Sequence, residues 1–209
     1  MKALRTTGNV FIFLGLSILF FVLYELVGTS VITKARQADL QADFDAELAQ
    51  PAALNPAFTG KLPVPGNRRS AVRPLARIII PKINVNAIVV EGVTLERLAY
   101  GPGHYPKTKL FGEKGVVGVA GHRTGWSAPF FNLDRLVAGD VVIIETTAAT
   151  YTYKVRDTTV VAPSHSEVLD GNPHSSAVQQ LVLTTCTPKF TAKNRLIVFT
   201  DLIKTVPRK

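Results

Sequence analysis

The chain of 209 residues contains one cysteine, Cys186, which closes an apolar, β-branched run, Leu181-Val182-Leu183-Thr184-Thr185-Cys186. Nine positions on, Arg195 heads a second such run, Arg195-Leu196-Ile197-Val198-Phe199, and His122 lies upstream in Ala120-Gly121-His122-Arg123-Thr124. A lone thiol makes no intrachain disulfide. Its thiolate is a strong nucleophile, but a free cysteine with a pKa of about 8.5 forms only a few per cent of it at neutral pH. A neighbouring imidazolium or guanidinium raises that fraction. Histidine, with a reference pKa of about 6.5, can also hand a proton to a leaving amine. A guanidinium can steady the oxyanion formed when an amide carbonyl is attacked, and it does not lose its own charge. Cys186, His122 and Arg195 are thus the parts needed for acyl transfer. Each also has a plainer reading: a cysteine packed in a core, a structural histidine, a solvated arginine. His104, His165 and His174 lie in polar or proline-rich loops and compete with His122. The acids are scattered and no histidine pair has ligand spacing, so no metal or other cofactor is expected.

The elements that must hold these residues are mostly strands. Short apolar, β-branched runs recur at 76–80, 87–90, 116–120, 141–146, 150–156, 159–161, 181–185 and 195–202. Tyr151, Tyr153 and Val155 alternate with Thr152, Lys154 and Arg156, the period of a half-buried strand. Short helical candidates lie only at 95–100, 130–136 and 166–169. Eight short strands with few helices predict an all-β barrel or sandwich beginning near Leu75 and ending near residue 203. Residues 204–209 are left as a C-terminal tail.

Upstream, Lys2 and Arg5 precede an apolar run that continues, past Glu25, to Ile32. A helix over 10–32 is long enough to cross a hydrocarbon core of about 30 Å. The two flanking cations place residues 1–9 in the cytoplasm and the body of the protein outside the cell. A cleaved signal peptide would also export the body, but no Ala-x-Ala site follows the run, and a retained anchor is the preferred reading. Residues 33–74 form the extracellular link: a helical stalk to about Gln50, then a stretch with Pro51, Pro56, Pro63, Pro65 and Pro74 that favours an extended linker. Lys61, Arg68, Arg69, Arg73 and Arg77 fall in or beside it with no acid between them, a patch suited to an anionic surface or simply to solvent.

The formal net charge is +9. Such a balance suits nucleic acid or an anionic membrane and wall. No basic stretch alternates with aromatics as a nucleic-acid platform requires, so no nucleic-acid partner is expected.

The residues also carry a family likeness. Val182-Leu183-Thr184-Thr185-Cys186, with Arg195 on the next strand, resembles the sortase signature Thr-Leu-x-Thr-Cys with its downstream arginine; Val182 stands where the pattern has threonine. Gly121-His122-Arg123-Thr124, followed by Ala128-Pro129-Phe130-Phe131-Asn132-Leu133-Asp134, resembles the histidine loop of that family and the short helix after it. Gly101-Pro102-Gly103-His104-Tyr105-Pro106 and Thr185-Cys186-Thr187-Pro188-Lys189 are most similar to class E sortases. The likeness runs from about Leu75 to Leu202. It implies an eight-stranded β-barrel behind a membrane anchor, on the plasma membrane of a Gram-positive cell. It implies cleavage of a C-terminal Leu-Pro-x-Thr-Gly or Leu-Ala-x-Thr-Gly sorting motif after Thr, through a thioacyl enzyme, and transfer of the surface protein to the amine of lipid II or peptidoglycan. Carried over, Cys186 is the nucleophile, His122 the general acid and then base, and Arg195 the oxyanion and substrate clamp. Tyr105 and Thr185 line the substrate site. Two alternatives remain. An L,D-transpeptidase has Ser-His-Gly-Cys-x-Arg around its nucleophile, unlike Thr184-Thr185-Cys186 here. A non-catalytic anchored barrel would bind wall polymer and bury Cys186 as packing.

Overall fold

The computed structural model describes residues 2–49, 70, 72–170 and 178–208. Most of the proline-rich linker, with Lys61, Arg68 and Arg69, and the competing His174 lie outside the described residues. Eight strands close into a barrel: β1 (Pro74–Ile80), β2 (Val85–Glu91), β3 (Gly103–His104), β4 (Gly115–Ala120), β5 (Val141–Glu145), β6 (Ala149–Val161), β7 (Gln179–Thr187) and β8 (Asn194–Pro207). The order around the barrel is β1-β2-β3-β4-β7-β8-β6-β5. The pairs β2–β3 and β4–β7 are parallel, and the others are antiparallel. Burial in β1 alternates residue by residue, with Ala76, Ile78 and Ile80 turned inward. They meet Val117, Val119, Ile144, Tyr153, Leu181, Leu183 and Val198 in one core, which Phe130 and Leu133 plug.

The predicted barrel is therefore present, with two changes in how its eight strands are made. The runs at 150–156 and 159–161 are one strand, β6. Arg156 is the extra residue of a bulge between the pairs Val155–Thr200 and Asp157–Phe199, so its polar neighbourhood reads in the sequence as a break. The eighth strand is instead β3, two residues without a β-branched side chain. It fits between β2 and β4 because a Cβ on Gly103 would fall on the carbonyl oxygen of Gly92. Residues 204–207, set apart above as tail, continue β8 and pair with 149–152. The helix expected over 130–136 is only a 3₁₀ turn at Leu133–Arg135.

The N-terminal segment is helical from Lys2 to Leu48: α1 (Lys2–Leu23), one π-helical turn (Tyr24–Gly28) and α2 (Thr29–Leu48). The window Thr6–Leu23 has mean hydropathy 2.1 and none of it is buried in the protein. It is long and apolar enough to cross a membrane. It shares residues 10–23 with the 10–32 span expected above, and Thr29, near the end of that span, is buried against the barrel.

The stalk is not free. Thr29, Thr33, Gln37, Leu40 and Phe44 recur every three or four residues and fall on one face of α2. Leu40 and Phe44 are fully buried against Val72, Ile88 and Val90, a burial that contributes about 2 kcal/mol for each side chain. Gln37 binds Ile88 through both amide atoms: Ile88 N donates to Oε1 at 2.7 Å and Nε2 donates to Ile88 O at 2.9 Å. Arg77 is not a loose linker cation. It pairs with Glu145 at 3.0 Å and with Asp45, under the ring of Phe44.

Candidate active site

The β4–β7 and β7–β8 ladders bring the three candidate residues to one barrel end. In the parallel β4–β7 pair the last register partners are Ala120 and Thr184. His122 and Cys186 each lie two residues beyond that pair, on chains leaving the barrel in the same direction. Gly121 N donates to Thr184 O at 3.0 Å, and Thr185 Oγ1 donates to Gly121 O at 2.7 Å, so the two chains stay tied past the end of the ladder. In the antiparallel β7–β8 pair Cys186 stands directly opposite Arg195. Residues so opposed project from the same face, with Cβ atoms about 4.5–5.5 Å apart.

Cys186 is a free thiol, half-buried at the barrel mouth and not sealed in the core. Arg195 donates from Nη1 to Ala192 O and Asn194 O, both at 3.1 Å, which fixes the guanidinium on the loop joining β7 to β8. Among the described residues its Nε and Nη2 make no other hydrogen bond. His122 is half-buried, and its Nε2 is enclosed without a hydrogen-bond partner among the described residues. Burial holds its pKa below the usual 6.5, because the charged imidazolium loses hydration there. The sign for stability follows. The unfolded chain binds this proton more readily than the folded one, so the contribution is intact above pH 6.5 and lost as pH falls through the lower folded value. His122→Gln is therefore expected to lose less melting temperature than the parent between pH 7 and 5, measured by circular dichroism; equal losses would contradict a buried, neutral His122.

The loop that carries His122 is unusual. Gly125, Trp126, Ser127 and Ala128 all have positive φ, at 66°, 47°, 60° and 38°. They form a left-handed turn closed by Ala128 N donating to Gly125 O at 2.7 Å. Each non-glycine residue so placed costs about 1–2 kcal/mol, so the surroundings must impose the shape. Phe130 N donates to His122 O at 3.1 Å, and the Phe130 ring lies where a Cβ on Gly121 would be. Arg123 is buried, and its Nη2 pairs with Asp134 at 3.0 Å, fastening the loop to the 3₁₀ turn.

Of the remaining candidates, Thr185 is buried with its hydroxyl committed to Gly121 O, which ties the ends of β4 and β7 together. The Tyr105 hydroxyl bonds Thr184 Oγ1 at 2.9 Å, one residue from Thr185. His104, the nearest competitor to His122, is buried with both ring nitrogens engaged, Nδ1 with Glu91 at 3.0 Å and Nε2 with Lys109 O at 2.9 Å. That leaves it no nitrogen for proton transfer. Sequence reasoning missed the edge-on pair Phe131–Phe190, with ring centroids 6.5 Å apart and Lys189 Nζ 4.1 Å from the Phe131 ring. It also missed the contact of α2 with the histidine loop. Neither has a local sequence signal, since each joins segments distant along the chain. No group of three or more potential metal ligands occurs among the described residues.

Comparison with known proteins decides what this barrel is. The sortase domain family matches residues 78–203, more than half of the chain. The chain belongs to the sortase family. Its relatives include Sortase SrtE1 of Streptomyces coelicolor, 32% identical over 99% of this chain, and Sortase SrtE2 of the same organism, 31% identical over 98%. This sortase spans 59% of the length of SrtE1 and 83% of that of SrtE2. Among solved structures, a Clostridium perfringens sortase D5 transpeptidase superposes with a TM-score of 0.68 at 26% identity, covering 81% of this chain and 99% of that one. Sortase E1 of S. coelicolor, solved with a tripeptide in its active site, superposes at 0.61 with 34% identity, covering 65% and 91%. Family membership separates this sortase from the L,D-transpeptidases considered above.

Proposed function

We propose that this sortase is a membrane-anchored cysteine transpeptidase acting on the C-terminal sorting signals of surface proteins. The observation that supports this most directly is the Cys186–Arg195 cross-strand pair beside the strand end that carries His122, in a chain of a family whose members are cysteine transpeptidases. The Cys186 thiolate attacks the Thr carbonyl of the sorting motif and forms a C–S bond. Arg195 donates to the resulting oxyanion. Collapse breaks the Thr–Gly C–N bond, and the leaving amine takes a proton from His122. An acceptor amine then attacks the thioester, gives its proton to His122 and expels the Cys186 thiolate. Because one proton must be off Cys186 and one on His122, the rate passes through a maximum with pH.

The motif is of Leu-Ala-x-Thr-Gly or Leu-Pro-x-Thr-Gly type, and the acceptor is the amine of lipid II or peptidoglycan. Tyr105 lines the groove near its second position; the likeness to class E sortases and its bond to Thr184 support this. Thr185 contributes by holding Gly121-His122 beside Cys186. The Thr6–Leu23 helix anchors the chain by a single span with its N-terminus in the cytoplasm, supported by its hydropathy and the flanking Lys2 and Arg5. The test is a panel of sorting peptides varied at the second position, assayed with an amine acceptor and resolved by mass. Ala at that position is expected to raise kcat/KM by roughly fivefold or more over Pro, a range set by small differences in pocket filling. A panel in which no peptide is cut after Thr would overturn the reading.

A further inference from the structure

The left-handed turn three residues beyond His122 is not held by the barrel alone. Its backbone meets the first turn of α2, one π-helical turn beyond the apolar helix. Trp126 N donates to Thr29 Oγ1 at 3.3 Å, Ser127 N donates to Ser30 Oγ at 3.3 Å, and Ser127 Oγ donates to Ser30 O at 3.0 Å. Thr29 is almost fully buried by this contact. The helix cannot slide along the barrel to release it. Thr33 Oγ1 donates to Ala99 O at 3.1 Å, Gln37 Nε2 donates to Tyr100 O at 2.6 Å, and Leu40 and Phe44 fill the groove beyond. A shift of one helical turn, about 5.4 Å, would break all of these at once.

We infer that Thr29 and Ser30 are positioning residues for His122, so that the membrane-proximal helix is a working part of the catalytic centre and not only a tether. Two side-chain oxygens and one carbonyl on α2 satisfy two amides and a hydroxyl of a turn that is unfavourable in isolation. Without them the turn relaxes toward right-handed conformers, and the chain between Gly121 and Phe130 loses its fixed path. The imidazole then samples positions away from Cys186. Small misplacements of a proton-transfer group cost large factors in rate while leaving substrate contacts in place.

The inference rests on the transpeptidase reading, and the experiment separates the two. In the full chain, reconstituted in nanodiscs, Thr29→Val with Ser30→Ala is expected to lower kcat for sorting-peptide cleavage about tenfold with KM within about twofold. Ser30→Thr, which keeps the hydroxyl, is expected to stay within about twofold of the parent. Ser127→Ala reads the same contact from the loop side and serves if the double variant does not fold. A second readout needs no substrate: the pH dependence of Cys186 alkylation by iodoacetamide. Its His122-dependent inflection, identified by its absence in His122→Gln, is expected to move upward in the double variant as the imidazole gains hydration. The charged or titratable groups at that barrel end, Cys186 on β7, Arg195 on β8, Arg123 in the loop with its partner Asp134, Lys189 after β7 and Lys34 on α2, are unchanged in both proteins. Unchanged kcat with an unmoved inflection overturns the inference, as does a loss in Ser30→Thr equal to that of the double variant. A parent that cleaves no peptide overturns the activity reading, while the inflection still decides whether α2 sets the environment of His122.

Discussion

Cys186→Ala is expected to melt within a few degrees of the parent and to cut no sorting peptide. The residue sits half-buried at the mouth end of β7, so losing one sulfur opens little cavity and, among the described residues, removes no hydrogen bond; surface and rim substitutions of this kind usually stay within about 0.5 kcal/mol. The chemical loss is of a different size. Without the thiolate there is no thioacyl intermediate, and loss of a covalent nucleophile costs on the order of 10⁵–10⁶-fold in kcat. The measurement is peptide cleavage followed by mass, alongside trapping of the acyl enzyme on the intact protein. Turnover within tenfold of the parent would rule out Cys186 as nucleophile and return it to the packing role. A calorimetric scan on the same samples shows whether the barrel is intact.

Arg195→Lys is expected to lower kcat/KM by roughly 10²–10³-fold, the usual cost of removing a preorganised oxyanion donor. The charge is kept, so a purely electrostatic role would survive. What is lost is the planar fork. In the parent Nη1 is used by Ala192 O and Asn194 O, which fixes the plane of the guanidinium opposite Cys186. A lysine ammonium on a flexible stem cannot hold both loop carbonyls and still present a donor in a set direction. Parallel assays of Arg195→Lys and Arg195→Gln separate geometry from charge. A lysine variant within threefold of the parent would show that charge alone suffices.

The barrel was legible where β-branched runs alternate or bury continuously, as in β1, β7 and the first half of β6. The candidate reactive end was legible for a related reason: Cys186 and Arg195 each mark a strand terminus, so pairing β7 with β8 places them opposite one another. Three things were hidden. Gly103–His104 is a strand only because neighbours on both sides accept it. Arg156 looks like a boundary because bulged residues are often polar and out of phase. The docking face of α2 carries Thr29, Thr33 and Gln37 beside Leu40 and Phe44, so it has no clean apolar stripe, and its partners are backbone groups at Ile88, Ala99 and Tyr100. A search for hydrophobic periodicity does not register a helix that binds by hydroxyls and amides.

The direction of α2 has a spatial consequence. The helix begins at the histidine loop and runs toward the opposite end of the barrel, where Arg208 donates to Leu48 O. Ser30 stands only seven positions, about 10 Å of helix, beyond the last residue of the apolar window, Leu23. With α1 in a bilayer, the reactive mouth therefore hangs just above the headgroups, and the rest of the barrel stands away from them. On the activity proposed above, such an enzyme would work at a set altitude: a polypeptide held by its own span would reach the thiol only when its scissile bond sits within a short spacer of the lipid, and the same threonine carried far out into the wall would pass untouched.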